Sequence, residues 1–169
     1  MARTPAWESE YREYFATRRR PLMRTAYGVL GSWPAAEDAV QTAFTQLYVH
    51  WPRIQPGAMD TYARRTVVHT CLRMAKVRGR EPVTDRLPDR SVAGPEAGLE
   101  RLDLVEALAT LSPKARAVVV LRFLDDLSVA EVARVLDLPE GTVKSQTARA
   151  LDRLQAVLAT PVEGANRDH

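Results

Sequence analysis

SVAEVARVLDLPEGTVKSQTARAL, residues 128–151, reads as two short helices joined by a turn. Ser128 offers a side-chain oxygen as N-cap, and Glu131, three residues on, completes the S-x-x-E capping box that opens a helix. Val132, Ala133, Val135 and Leu136 give that helix one apolar face. Leu138-Pro139-Glu140-Gly141 then interrupts it, with proline and glycine supplying the turn. A second helix follows, with Val143, Thr147, Ala150, Leu151 and Leu154 inward and Lys144, Ser145, Ala148 and Arg149 outward. A helix-turn-helix of this kind lays its second helix in the DNA major groove. A plain helical hairpin shares the apolar spacing, but here a capping box, a breaker pair and a polar second face coincide. The segment therefore predicts a chain that handles DNA.

A length of 169 residues allows one domain or two small ones, and 46% hydrophobic with 27% charged residues suits a globular rather than a disordered chain. The longest aliphatic stretch, from Val118 to Leu121, is stopped by Arg122, far short of a membrane span, so no membrane partner is expected. The first fifteen residues, MARTPAWESEYREYF, lack the apolar core of a secretion signal. The single cysteine, Cys71, excludes an internal disulfide framework and fits a reducing, cytoplasmic setting. Arg outnumbers Lys 21 to 3, an association with GC-rich bacterial genomes.

The net charge of +3 is modest, but its distribution is informative. Residues 61–80 hold six basic side chains and no acidic one, whereas residues 99–169 hold nine basic and eleven acidic. The positive charge is thus concentrated outside the helix-turn-helix. In TYARRTVVHTCLRMAKVRGR, at about 100° per residue, Arg65, His69, Arg73, Lys76 and Arg80 fall within an arc of roughly 80°. Ala63, Val67, Met74 and Val77 lie opposite and are expected in the core. Such a face can straddle a phosphate backbone and release its counterions. A solvated surface helix is the bland alternative, but within residues 61–80 no acidic side chain is available for i,i+4 pairing.

All the periodicity is helical, so the expected fold class is all-α: two small helical domains joined by a flexible linker, the C-terminal one carrying the helix-turn-helix. The first helical unit begins near Trp7 and turns Tyr11, Phe15, Leu22, Ala26 and Val29 inward, with Pro21 starting a new helix or bending this one. Gly31-Ser32-Trp33-Pro34 is a break, and a helix over about 34–50 buries Val40, Ala43, Phe44, Leu47 and Tyr48. Its opposite face shows Glu37, Asp38, Gln41, Thr42 and Thr45. The basic helix runs near 60–78, followed by a proline- and glycine-rich stretch. Ser112-Pro113 caps a later helix that carries Val118, Val119, Leu121 and Phe123. The expected domains are 1–78 and 99–160, with a linker at 79–98 and a tail at 161–169.

No catalytic constellation is legible, and the chain is not expected to be an enzyme. His50, His69 and His169 show no metal-ligand spacing with Cys71, so no metal is expected, and no glycine-rich phosphate loop or other cofactor signature occurs. Glu37-Asp38 and Asp125-Asp126 read as solvated charge or partner contacts, and Cys71 as a core residue. Two different DNA-binding elements on one chain, without a dimerisation helix, point to an asymmetric target.

AAEDAVQTAF (residues 35–44), then a basic amphipathic helix, then LSPKARAVVVLRFLDDLSVAEVARVLDLPEGTVKSQTARAL (residues 111–151) resemble the sigma-70 family. More narrowly, the chain is similar to the extracytoplasmic-function (ECF, group IV) sigma factors, in particular the SigE-like group of actinobacteria. The likeness covers about residues 10–160. It implies an RNA polymerase sigma factor that binds core polymerase and directs promoter-specific transcription initiation. Residues 1–78 would be sigma domain two, which meets the beta-prime clamp helices and opens the −10 element. The polymerase-contact motif matches residues 36–41, which makes Asp38 and Gln41 the polymerase-binding candidates. Residues 99–160 would be sigma domain four, docking on the beta flap and reading the −35 element. The DNA-binding candidates are Arg64, Arg65, His69, Arg73 and Lys76 on the basic helix, and Lys144, Ser145 and Arg149 on the recognition helix. His69 stands where relatives often have Asn, Gln146 where Arg is frequent, and Asp137 where Gly is frequent, so base preference is expected to shift. The implied partners are core RNA polymerase and promoter DNA, with an anti-sigma factor as a further candidate. On the residues alone, a stand-alone helix-turn-helix regulator and a helical interaction protein remain alternative readings.

Overall fold

The computed structural model of the chain describes residues 2–80 and 102–159, and among these there is no strand. Three helices make the first unit: α1 (Glu8–Leu30), α2 (Trp33–His50) and α3 (Met59–Arg80). Glu8 and Glu10 sit in the first turn of α1, where carboxylates complement the helix dipole. Gly31 ends the helix in the left-handed region, at φ 69°, and returns its N–H to the Tyr27 carbonyl at 2.7 Å. Ser32 then opens α2 by accepting a hydrogen bond from the Ala35 N–H at 3.3 Å, with Pro34 in the first turn. Pro21 neither starts a helix nor ends one: α1 runs through it, because Pro21 lies on the exposed side and solvent can serve the carbonyl it leaves without a donor.

The core of this unit is built from Leu22, Ala26 and Val29 of α1, Val40, Phe44 and Leu47 of α2, and Ala63, Val67 and Cys71 of α3. Ala36, Ala39 and Ala43 are fully buried, so α2 presents a small-residue stripe that lets its neighbours approach. Two expected core residues lie at the rim instead. Phe15 is 37% exposed and Tyr48 39%, each covering the core edge-on, Phe15 against Phe44 and Tyr48 against Tyr11.

The second unit comprises α4 (Leu102–Ala109), α5 (Pro113–Val119), α6 (Val129–Leu136) and α7 (Glu140–Ala159). Ser112 caps α5 as expected, accepting from the Ala115 N–H at 3.2 Å. A wide π turn, Val120–Leu124, continues α5. Its extra residue per turn keeps Leu121 buried but swings Phe123 outward to 54% exposure, against expectation. The break after α6 is made by Asp137, in the left-handed region at φ 54° and ψ 51°, and not by Gly141, which belongs to the first turn of α7. Leu151, expected inward, is 41% exposed, and Val143, Ala150 and Leu154 carry the buried face of α7.

The two units share packing. One continuous core runs from α1–α3 into Ala117, Val118, Val120, Leu121, Val132 and Val135, while a smaller core of Ala107, Leu108, Leu111, Val119, Ala150 and Leu154 belongs to the second unit alone. Of the expected linker, residues 79 and 80 are the end of α3. Its residues 81–98, residues 99–101, and residue 160 with the tail at 161–169 lie outside the described residues.

Candidate nucleic-acid interface

The capping box of α6 is complete. Ser128 Oγ accepts from the Glu131 N–H at 3.1 Å, and Glu131 Oε2 accepts from the Ser128 N–H at 2.7 Å. That backbone hydrogen bond holds the Glu131 carboxyl below its ordinary range. The box fixes where α6 starts, and α6 in turn supports α7 through Val132, Val135 and Val143, all buried. The opposite face of α7 presents Lys144, Ser145, Ala148 and Arg149, all exposed. Ser145 Oγ donates to the Thr142 carbonyl at 3.1 Å, and Arg149 Nη2 lies 3.5 Å from Ser145 Oγ. Three of the DNA-binding candidates thus stand together on one open helical face. Gln146 does not join them. It is half-buried beside a recess of about 270 Å³ with Thr110, Ser112 and Arg153, and its amide oxygen is closed off from solvent without a partner. The adenine-reading option for Gln146 therefore has no support from its position.

The basic face of α3 divides in two. Arg73 and Lys76 are exposed, with Arg73 Nη2 3.3 Å from Thr70 Oγ1. Arg64 and His69, half-buried, and Arg65, itself exposed, meet the second unit. Arg64 Nε stands 3.3 Å from Asp125 Oδ2, close enough for an ion pair but off the line of a good hydrogen bond. Arg65 Nη1 donates to the Arg134 carbonyl at 3.2 Å. His69 Nε2 lies 3.0 Å from the Val135 carbonyl oxygen, which can only accept, so this ring nitrogen carries the proton. Behind this face Ala63, Val67 and Cys71 are buried as expected, joined by Val68 and Thr70. Met74 is only half-buried, and Val77, expected in the core, is 57% exposed.

Asp125 is the residue that sequence reasoning misplaced. Read as solvated charge or a partner contact, it is half-buried between the units, with Thr25 Oγ1 2.9 Å from each of its carboxylate oxygens. Burial pushes its carboxyl above the usual range, opposed by the Thr25 hydroxyl and the Arg64 guanidinium. Arg116 adds a second bridge, donating from Nη1 to the Val29 carbonyl at 2.8 Å. No local signal announces these contacts, because each partner lies on a different unit.

Asp38 and Gln41 are both exposed on α2, whereas the neighbouring Glu37 is tied to Arg19 at 3.4 Å. Gln41 borders a recess of about 220 Å³ floored by Tyr11, Phe15 and Phe44. Such a surface, polar at the lip and aromatic beneath, suits a protein partner. Among the described residues no group of three His, Cys, Asp or Glu side chains is placed to hold a metal ion, and no helix is long and apolar enough to cross a membrane.

Residues 14–81 match Sigma-70 region 2, and residues 101–154 match Sigma-70, region 4. The chain is 38% identical over 154 residues to the RNA polymerase sigma-E factor of Streptomyces antibioticus, a match spanning 89% of this chain and 86% of that one. It is 33% identical over 159 residues to the ECF RNA polymerase sigma factor SigM of Mycobacterium tuberculosis H37Rv, spanning 91% and 80% of the two chains. In fold it is similar to the sigma factor RpoE of Bartonella quintana, solved in complex with the anti-sigma factor NepR. That likeness has a TM-score of 0.74 at 20% identity over 90% of this chain and 99% of that one. The chain belongs to the sigma-70 family, among the extracytoplasmic-function RNA polymerase sigma factors with actinobacterial SigE-like relatives. Its function is that of a sigma factor in promoter-directed transcription initiation.

Proposed function

We propose that the two units divide the work of a sigma factor as follows. The first, residues 1–78, meets the beta-prime clamp helices of core polymerase through Asp38 and Gln41. It engages the −10 element through Arg64, Arg65, His69, Arg73 and Lys76. The second, residues 99–160, docks on the beta flap and lays α7 in the −35 major groove, where Lys144, Ser145 and Arg149 contact DNA. The observation that carries this reading is the open face of α7, with these three side chains exposed behind a capping-box helix. The protein works in the cytoplasm and supplies recognition to an enzyme without being one. An anti-sigma factor is a further candidate partner, by analogy with the Bartonella quintana protein.

Run-off transcription with purified core polymerase on a panel of genomic promoters tests the proposal. The chain is expected to confer initiation at specific promoters, and Asp38→Arg is expected to weaken core binding with an unchanged circular dichroism spectrum. Tight operator binding without polymerase, and no specific transcript with it, would favour a stand-alone regulator.

A further inference from the structure

Residues 99–169 carry nine basic against eleven acidic side chains, so the grip of the second unit on a polyanion depends on where its free cations stand. Arg116 and Arg122 are engaged with the Val29 and Leu127 carbonyls, at 2.8 and 2.6 Å. Arg153 is exposed and makes no hydrogen bond or ion pair with any described residue. Together with Arg149 it lines the recess of about 270 Å³ that α7 forms with the turn between α4 and α5. We propose that this recess seats one phosphate group, supplied by the promoter backbone beside the −35 groove, with Arg153 as its clamp. The seat rests on the assignment of α7 as the −35 reader.

Gln146, Arg149 and Arg153 follow at i, i+3 and i+7, so they share one edge of α7. Thr110 and Ser112 face them across the recess. Thr110 donates its hydroxyl proton to the Ala107 carbonyl at 2.6 Å, but Ser112 accepts from the Ala115 N–H and keeps its own proton to donate. Gln146 Oε1 is enclosed without a donor, a costly place for an acceptor. Turned about its last bond, the same amide offers its NH2 donors there instead. No acidic side chain lines the recess. Two guanidinium groups, a hydroxyl and an amide thus converge on a space free of carboxylates, which suits an anion with several acceptor oxygens. Position selects the source of that anion. Arg149 stands both on the open face of α7 and at the recess, so a duplex that takes Lys144 and Ser145 into its groove brings a neighbouring phosphate to this edge. Such a contact carries no base information; it fixes the register of α7 on the duplex.

The test uses filter binding of the full chain, assembled with core polymerase, to promoter fragments over a series of KCl concentrations. Arg153→Ala is expected to keep the wild-type circular dichroism spectrum and to weaken binding roughly fivefold on every −35 sequence variant alike. The slope of log affinity against log salt should become shallower by about 0.9, the loss of one phosphate contact. Arg153→Lys keeps the charge and should retain most of that slope. Neutral methylphosphonate linkages, placed one at a time around the −35 element, then locate the contact. One linkage should weaken the wild type by a similar factor and the Arg153→Ala variant no further. An unchanged salt slope, or losses that multiply at every linkage, would overturn the seat. Inorganic phosphate separates the other source of the same chemistry. A melting temperature raised by phosphate over chloride at equal ionic strength, lost in Arg153→Ala and without any coupled linkage, would assign the recess to a free anion and overturn the backbone as its source. Lys144→Ala distinguishes the two levels of failure. If it leaves −35-dependent binding untouched, the reading of α7 fails and the seat with it; if it weakens that binding while Arg153→Ala changes nothing, the seat alone fails.

Discussion

Arg149 stands on the exposed face of α7, its guanidinium 3.5 Å from Ser145 Oγ. A side chain so placed contributes little to folding and is free for a groove. Arg149→Ala is expected to leave the melting temperature unchanged and to cost about 1–3 kcal/mol in promoter affinity if the guanidinium reads a base. Footprinting of the polymerase complex on templates with and without the −35 element checks this: the loss should vanish where that element is missing. Cys71 is the opposite case. It is fully buried, and burial pushes its thiol up to about 12, so the reactive thiolate is scarce at neutral pH. Ellman's reagent is expected to find no reactive thiol in the native chain and one after denaturation; native reactivity would open a redox role. The sign of the linkage also follows. A thiol with its pKa raised in the folded state favours folding at neutral pH, and that contribution is lost as pH climbs from about 9 towards about 12. Tyr14, raised by burial and by its bond to Asp60, acts in the same direction. Alkaline titration followed by circular dichroism should therefore show stability falling through this window.

Local chemistry decides the elements, which is why several were legible in advance. Ser128 and Glu131 satisfy each other's backbone donors within four residues, and Ser112 accepts from the Ala115 N–H at the start of α5, so both helix starts follow from spacing alone. Ser128→Ala is expected to destabilise the chain by about 1 kcal/mol, lowering the melting temperature by about 2–4 °C. The Glu131 half of the box is present at neutral pH and lost as pH falls through its lowered value, whereas the Ser128 half does not titrate, so the deficit of the mutant should persist in acid while both proteins lose the Glu131 contribution. What spacing could not show was the environment. Pro21 is harmless to α1 because it faces out, and Asp137 could replace glycine because aspartate tolerates the left-handed region. Phe123 and Leu151 matched an apolar period, but a π turn rotates the first outward, and the buried stripe of α7 passes beside the second. The recognition-helix face was legible because exposure follows from the helical period. The occupation of Arg64, Arg65 and His69 was not, because a count of charges within α3 cannot see a carboxylate on the other unit.

Packing across the junction makes a claim about the whole molecule. The main core runs through both units, while the second unit keeps only a small core of its own. If the shared packing is energetically significant, neither unit should unfold alone. The tryptophans make this measurable: Trp7, Trp33 and Trp51 all lie in the first unit, so intrinsic fluorescence reports that unit while far-ultraviolet circular dichroism reports every helix. In the wild type the two thermal transitions are expected to coincide, as two-state behaviour requires. A Cβ added at Gly28 would stand 2.8 Å from Val120 Cγ2, so Gly28→Leu overpacks the junction, which typically costs about 1–3 kcal/mol. In that variant the dichroism should begin to fall before the fluorescence, since the second unit is left with the smaller core. That Cβ would also lie 3.6 Å from Val120 Cβ, within disulfide reach, so an oxidised double variant, Gly28→Cys with Val120→Cys, closes a loop of roughly 90 residues, for which chain entropy predicts about 4–5 kcal/mol of stabilisation. Its two transitions should stay superimposed at a higher temperature. Separate wild-type transitions would instead mean that the units fold independently despite the core they share.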